Sequence, residues 1–499
     1  MATPSPLDRL STSALESLPS SPRHQQSQLS ALHSALRAHA DALLAAITSN
    51  PFPRVSPVEA EIEIASALDA VRHFYDGIDA KREHEAEYAL AKGRSDEGRR
   101  VGVGIVVVRP GWHTRLWGVV CAVAAAVKGG NCVVLELPQE EGGHRVDDVL
   151  REMLSKAMDG NTFWVSEDVV EDEEVLKGAV VVDQRGDGGP VSSTRELVSS
   201  SGARVVAVVD RTADVEEAAR VITTARFSFG GMSPYAPDLV LVNEFVKAKF
   251  YEACSRYATR AFADRASSAV EELGPVDMAV AKAEAEKQVV SFGGQGFKLL
   301  EILDRDTPLL KMKISGQYLP IATCSSLVDA AFSQDFENPL LAGYFFADPA
   351  SAKYLSQYLP SHISCVNHIP TQLLLGPAAP IAHPPDLVYR YNADMFSLPR
   401  PQFVAPPAQT DVLRTAEALL DVGKAKSGKG AASSQKLRTL ATRPLKPTGQ
   451  PKTLETLDFF ASGLLLGGGL FLAVALPAIG WTSYVLGRGA FGYLGRLKR

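Results

Sequence analysis

Cysteine is scarce in this 499-residue chain. The five that occur, Cys121, Cys132, Cys254, Cys324 and Cys365, stand far apart, without a CxxC pair or a Cys/His cluster. That spacing argues against a disulfide framework and a structural zinc site and suits a reducing compartment. An excess of one charge is missing as well. Lys and Arg number 51 and Asp and Glu 57, a net of −6, which gives no electrostatic case for nucleic-acid binding. Compositional bias is absent too: 46% hydrophobic and 22% charged residues exclude a collagen-like or wholly disordered chain. The length suffices for two or three packed domains. Residues 1–22 are rich in Ser and Pro and lack the apolar core of a secretory signal, so a disordered N-terminus is expected there.

The far end carries what the rest lacks, a long uncharged run. From Phe459 to Gly487 there are 29 residues without a charge, and roughly 20 apolar residues cross a bilayer as a helix. Trp481 and Tyr484 suit interfacial anchors. Gly467–Gly469 would weaken a soluble core helix, and Pro477 is better tolerated in a membrane. We read one transmembrane helix over 457–487 and a basic tail over 488–499, with a hairpin or interfacial insertion as alternatives. Before it, 406–456 reads as a flexible basic linker. Eight Lys and Arg and no acid lie between Val422 and Leu454, a pattern drawn to anionic lipid or serving only as a solvated spacer. Gly423 to Gly430 nearly spells a phosphate-binding loop, but Gly430 stands where a Ser or Thr would hold magnesium, and no strand precedes it.

The remainder is α/β in texture. Leu29, Leu32, Leu36, Leu43 and Leu44, then Ile62, Leu68, Val71 and Phe74, recur at helical spacing. Val101–Val108 reads as an apolar strand, 109–114 as a turn, 116–127 as a helix and Cys132–Leu137 as a second strand. Two fully apolar strands around a helix make a βαβ unit of a parallel sheet. Further strands are expected at 180–182, 205–209, 239–242, 319–322 and 342–346, giving two nucleotide-fold-like lobes.

Arg109-Pro110-Gly111-Trp112-His113 ahead of an apolar helix, then Gly130-Asn131-Cys132-Val133-Val134-Leu135, resembles the start of the cofactor domain of aldehyde dehydrogenases. Ala236-Pro237-Asp238 with the strand after it resembles the segment following that family's nucleophile. Pro339 to Phe346, Cys365-Val366-Asn367, and Met395-Phe396-Ser397 with Arg400-Pro401 follow in the family's order, so the resemblance runs from about residue 6 to 405. The apolar tail is similar to that of the fatty aldehyde dehydrogenase branch. The resemblance implies a Rossmann-like cofactor domain over 23–200 and 366–405, a catalytic α/β domain over 201–365, an oligomerisation hairpin, a dimer, and NAD as cofactor.

It also implies which positions carry the chemistry. The family attacks the aldehyde with a cysteine thiolate, a nucleophile near neutral pH and a good leaving group afterwards. Two residues before Ala236 that position holds Pro234. Proline removes the thiol and also the backbone N–H, one of the family's two oxyanion donors, whose loss costs about a hundred- to a thousandfold. Ser233 has no adjacent base in the sequence, and Cys365 reads as a buried structural thiol. The second oxyanion donor, an Asn after Trp, matches His113 after Trp112. The glutamate base matches Ser200 without gaps, or Glu196 with a four-residue insertion; serine cannot take a proton from water at neutral pH.

On the cofactor side, Trp112, Glu136 and Arg185 are the candidate contacts. Glu136 stands where the family has a lysine reaching the adenosine ribose. Arg185 lies in the stretch Val182 to Pro190, which matches the Gly-rich pyrophosphate turn. Lys313 replaces the glutamate that holds the nicotinamide ribose. The acidic run from Glu167 to Glu174 reads as a solvated helix end rather than a metal site. The expectation is a membrane-anchored pseudoenzyme with doubtful NAD binding and no metal. It would be held to membrane lipid by helix and linker, as a homodimer or a heterodimer with an active paralogue. The alternatives are an active NAD-dependent oxidoreductase of hydrophobic or long-chain aldehydes, and a membrane-localised partner of an active dehydrogenase. A C-terminal anchor would leave the globular part cytosolic, on the endoplasmic reticulum, peroxisome or outer mitochondrial membrane.

Overall fold

The Ser- and Pro-rich N-terminus starts a helix. In the computed structural model α1 (Pro6–Leu15) opens with a capping box: Ser5 Oγ accepts from Asp8 N, and the Asp8 carboxylate accepts from Ser5 N, both at 3.1 Å. Ser, Pro and Asp at those offsets are a helix start as well as loop residues, so the disorder expected over 1–22 is corrected for 5–22, and 1–4 lie outside the described residues. The structure describes all residues except 1–4, 52–53, 140–142, 187–194, 263–273, 295, 334–337, 381–382, 405–408, 422–429, 446–462, 478 and 482–499. Tyr484, the basic tail, much of the linker, and 187–190 of the expected pyrophosphate turn therefore lie outside the described residues.

Helices α2 (Pro22–Ala38), α3 (Ala40–Thr48), α4 (Pro57–Asp76) and α5 (Ala80–Glu87) precede the first sheet. The apolar run 101–108 is two strands, not one. Gly104 takes φ +108° and its N–H bonds Asn131 Oδ1 at 3.0 Å, which breaks the run. β1 (Arg100–Gly102) then pairs with the distant β14 (Ser397–Pro399), while β2 (Ile105–Arg109) enters a sheet. That sheet is wholly parallel, in the order β4-β3-β2-β5-β6. Its other members are β3 (Cys132–Glu136), β4 (Phe163–Ser166), β5 (Val180–Asp183) and β6 (Glu196–Val198). The crossovers carry α6 (Arg115–Lys128), α7 (Val146–Ala157) and the six-residue α8 (Glu173–Gly178).

Side-chain alternation divides this sheet between two covers. Val106, Val108, Val133 and Leu135 join the main core with α6 and α7. Val107, Cys132 and Val134 face the other way and pack under Leu10 of α1.

A seven-stranded sheet follows, in the order β13-β12-β7-β8-β11-β10-β9. It comprises β7 (Val205–Val209), β8 (Leu239–Asn243), β9 (Val289–Phe292), β10 (Lys298–Ile302), β11 (Tyr318–Cys324), β12 (Leu340–Phe346) and β13 (Ser361–Val366). All pairings are parallel except β9 with β10. One face packs on α9 (Val215–Phe227) and α10 (Lys247–Phe262). The other packs on α11 (Pro275–Ala285), α12 (Leu327–Phe332) and α13 (Pro349–Tyr358).

The chain divides into two compact units, Met1–Ala405 and Pro406–Arg499. The second unit holds α14 (Asp411–Leu420) and α15 (Gly430–Ala441) inside the stretch expected to be a flexible linker, which is thus partly helical. α14 starts with Thr410 Oγ1 accepting from Leu413 N, a cap that a composition-based reading passes over. Gly463–Trp481 is one 19-residue helix, long and apolar enough to cross a membrane.

Candidate functional site

The segment between α9 and β8 positions Pro234. Phe229, Gly230 and Gly231 run at φ +51°, +69° and +71°. A Cβ on Gly231 would stand 2.1 Å from Gly316 O, so only glycine lets these two backbones meet. Beneath them Arg226, fully buried, donates through Nη2 to Gly231 O at 2.5 Å, Gly316 O at 2.8 Å and Ile314 O at 3.1 Å. Asp238, also fully buried, accepts from Val205 N at 2.7 Å and Ile314 N at 3.0 Å and lies 3.8 Å from Arg226 Nη1. Lys313 completes the cluster: its Nζ donates to Pro234 O at 2.5 Å and to Asp238 Oδ2 at 2.9 Å. Burial lowers the Lys313 pKa, the Asp238 charge opposes that shift, and Arg226 and Arg204 add to it. One carboxylate thus holds together the amino ends of β7, β8 and β11 directly under the carbonyl of Pro234.

The other expected residues have equally settled surroundings. His113 Nε2 donates to Leu374 O at 2.7 Å, which makes Nδ1 the acceptor nitrogen, and Nδ1 meets no partner among the described residues. Burial holds this imidazole neutral, its pKa pushed down to about 4. Its ring edge meets Phe229 at 6.0 Å. Trp112 is 48% exposed and tilts against His144 at 5.7 Å. Glu196 opens the edge strand β6 opposite Val181, and Ser200 lies just past that strand, where its carbonyl accepts from Ala203 N. Ser233 is buried with Oγ accepting from Tyr235 N, and Cys365 lies in β13, where burial raises its thiol pKa.

Glu136 ends β3 with both oxygens engaged. Oε2 accepts from Arg109 Nε at 3.0 Å and Oε1 from Val170 N at 3.1 Å. Arg185 turns back on Asp183 through Nε and Nη2 at 3.1 and 2.6 Å. Asp172 in the acidic run caps α8, accepting from Glu174 N and Val175 N. Among the described residues no three His, Cys, Asp or Glu side chains converge as a metal site.

Two functional-looking acids escaped the sequence reading. Glu59 and Glu63, one turn apart on α4, are both buried. Glu59 Oε1 accepts from Phe229 N at 2.8 Å, and Glu63 Oε1 from Trp117 N at 3.2 Å at the start of α6. Burial raises the Glu63 pKa to about 7, against the opposing bonds from the Trp117 and Leu116 amides. The i, i+4 spacing of two acids on a helix was the available signal, and it matches that of a solvated face.

No family model matches the chain. Over 269 residues it is 24% identical to the dimeric NADP-preferring aldehyde dehydrogenase of Rattus norvegicus, covering 49% of this chain and 58% of that one. It is 23% identical over 255 residues to the 4,4'-diaponeurosporen-aldehyde dehydrogenase of Staphylococcus aureus, covering 46% and 54%. The chain therefore spans little more than half the length of these curated relatives. Among solved structures it superposes on substrate-bound Staphylococcus aureus AldH with a TM-score of 0.62 at 18% identity, covering 78% of this chain and 91% of that one. For the glyceraldehyde-3-phosphate dehydrogenase GapN of Methanocaldococcus jannaschii, complexed with NADP, the TM-score is 0.60 at 15% identity, covering 79% and 92%. The chain thus has the aldehyde dehydrogenase fold, and the sequence relatives it resembles are themselves aldehyde dehydrogenases.

Proposed function

We propose that this chain is a membrane-anchored member of its superfamily that does not oxidise aldehydes. The observation that carries the reading is Pro234 at the nucleophile position, its carbonyl bonded by Lys313 Nζ at 2.5 Å. Proline supplies neither a thiol to form an acyl-enzyme nor an N–H to stabilise its oxyanion. The lysine that stands where a ribose-holding glutamate is expected is spent on Asp238 and on that same carbonyl. Serine as a substitute finds no support, because the Ser233 hydroxyl is buried and turned onto Tyr235 N. The apolar helix Gly463–Trp481 supports an anchor, which would hold the first unit at a cytosolic membrane face, as a homodimer or beside an active relative.

The test is full-length protein in detergent, assayed for oxidation of a long-chain aldehyde with NAD or NADP. No turnover above the protein-free rate is expected, and Pro234→Cys alone leaves it so. Turnover by the wild-type protein, free of any co-purifying dehydrogenase, would overturn the reading.

A further inference from the structure

A doubly wound sheet needs apolar cover on both faces. Here α6 and α7 supply one cover, while the crossovers that would supply the other are short. α8 has six residues and buries none of them, and twelve residues separate Asp183 from Glu196. Among the described residues, cover comes from α1. Leu10 of α1, at 0% exposure, packs on Val107, Cys132 and Val134, and the Cys132 thiol donates to Leu10 O at 3.4 Å.

Ligands of such sheets enter at the carboxyl ends of the strands, where the strand order switches, here between β2 and β5. That place is built over. Gln184 N donates to Arg109 O at 2.9 Å, and Gln184 Nε2 donates to Gly118 O at 2.9 Å and Tyr391 Oη at 3.2 Å. A Cβ on Gly111 would stand 2.5 Å from Gln184 O, so the two segments touch backbone to backbone. Beside them Glu136 is closed by Arg109 and Val170 N. The amide of Trp117, near the start of the helix after β2, is taken by Glu63, so a carboxyl group of the protein stands where a phosphate would. A cavity of about 470 Å³ remains between α1 and the end of β4, lined by Leu7, Trp164, Glu167, Asp168, Glu171 and Asp172. Four acids repel a pyrophosphate.

We infer that the Rossmann-like sheet is filled from within, by α1 over its face and by Gln184, Glu63 and the Arg109–Glu136 pair at its strand ends, and that it takes no nicotinamide dinucleotide. The residues present do not fit that cofactor. The inference rests on the sheet and not on Pro234, so it stands or falls separately from the loss of the nucleophile.

Two readouts on the full-length protein in detergent test it. Calorimetric titration with NAD, NADH and NADP should give no binding up to about 1 mM, and a micromolar dissociation constant for any of them would overturn the inference. Thiol labelling followed by peptide mapping should find Cys132 as protected as Cys254 in the wild type, both being fully buried. Leu10→Glu should speed labelling of Cys132 by on the order of tenfold while Cys254 stays protected. Labelling of wild-type Cys132 at the rate of an exposed thiol would show that α1 is not seated, and so would a Leu10→Glu protein that keeps Cys132 protected. If Leu10→Glu does not fold, the wild-type titration and labelling decide alone.

Discussion

The amino ends of β7, β8 and β11 and the carboxyl ends of β2, β3 and β5 both neutralise a buried carboxylate from within the chain, at different depths. Asp238 is fully buried and gathers two backbone amides and the Lys313 ammonium, with Arg226 at 3.8 Å. Glu136 gathers one amide and Arg109, whose side chain stays 18% exposed. At the first place the Arg226 guanidinium is fully buried with no water to replace its anion, although Lys313 keeps 22% of its side chain exposed; at the second, solvent reaches the arginine itself. A scaffold can thus carry charges at its strand ends, provided each of them finds a partner inside the protein.

Breaking the deeper arrangement should therefore cost more. Asp238→Ala leaves the fully buried Arg226, and Lys313 beside it, without a carboxylate, and denaturant unfolding should show a loss of about 3–5 kcal/mol. Glu136→Gln keeps an acceptor for Val170 N and removes only the charge opposite Arg109; about 1–2 kcal/mol is expected by the same measurement. Equal losses at the two sites would erase the difference in depth.

A third acid sharpens the contrast, because among the described residues Glu63 pairs with no cation and meets only the amides at the start of α6. Its folded pKa is raised from 4.5 to about 7, so the fold prefers the protonated acid. The stability this contributes is full below pH 4.5 and is lost as pH rises through 7. His113 works in the opposite sense: its pKa is lowered from 6.5 to about 4, so its contribution is lost as pH falls through that window. Stability measured from pH 5 to 8 for wild type and Glu63→Gln isolates the first effect. The difference curve should slope by nearly one proton midway between the two pKa values and flatten towards pH 8, and a flat difference throughout would remove Glu63 from the account.

Much of the scaffold was legible because buried parallel strands are apolar runs. Val205–Val209 and Leu239–Val242 read as strands and are strands. What misled was local chemistry with two meanings. Ser-Pro-rich sequence before α1 serves loops and helix caps alike, and a single glycine, Gly104, divided an apolar run into strands bound for different sheets. At the site, the resemblance around Ala236-Pro237-Asp238 is what assigns the nucleophile position to Pro234, and that assignment stands as the proposal. The partners of Asp238 were not legible: Lys313 is 75 residues away in sequence, and only the fold brings it there. Glu59 and Glu63 were hidden by spacing that suits an exposed helix face as well as a buried one.

The proposed absence of a nucleophile is tested most directly by looking for the covalent acyl intermediate itself. Full-length protein would be mixed with a long-chain aldehyde and NAD or NADP, quenched in acid, and digested for mass spectrometry. We predict no acyl adduct on Ser233 or on any of the five cysteines. A stoichiometric, cofactor-dependent acyl adduct at any of them would contradict the reading of this chain as an aldehyde dehydrogenase fold without its chemistry.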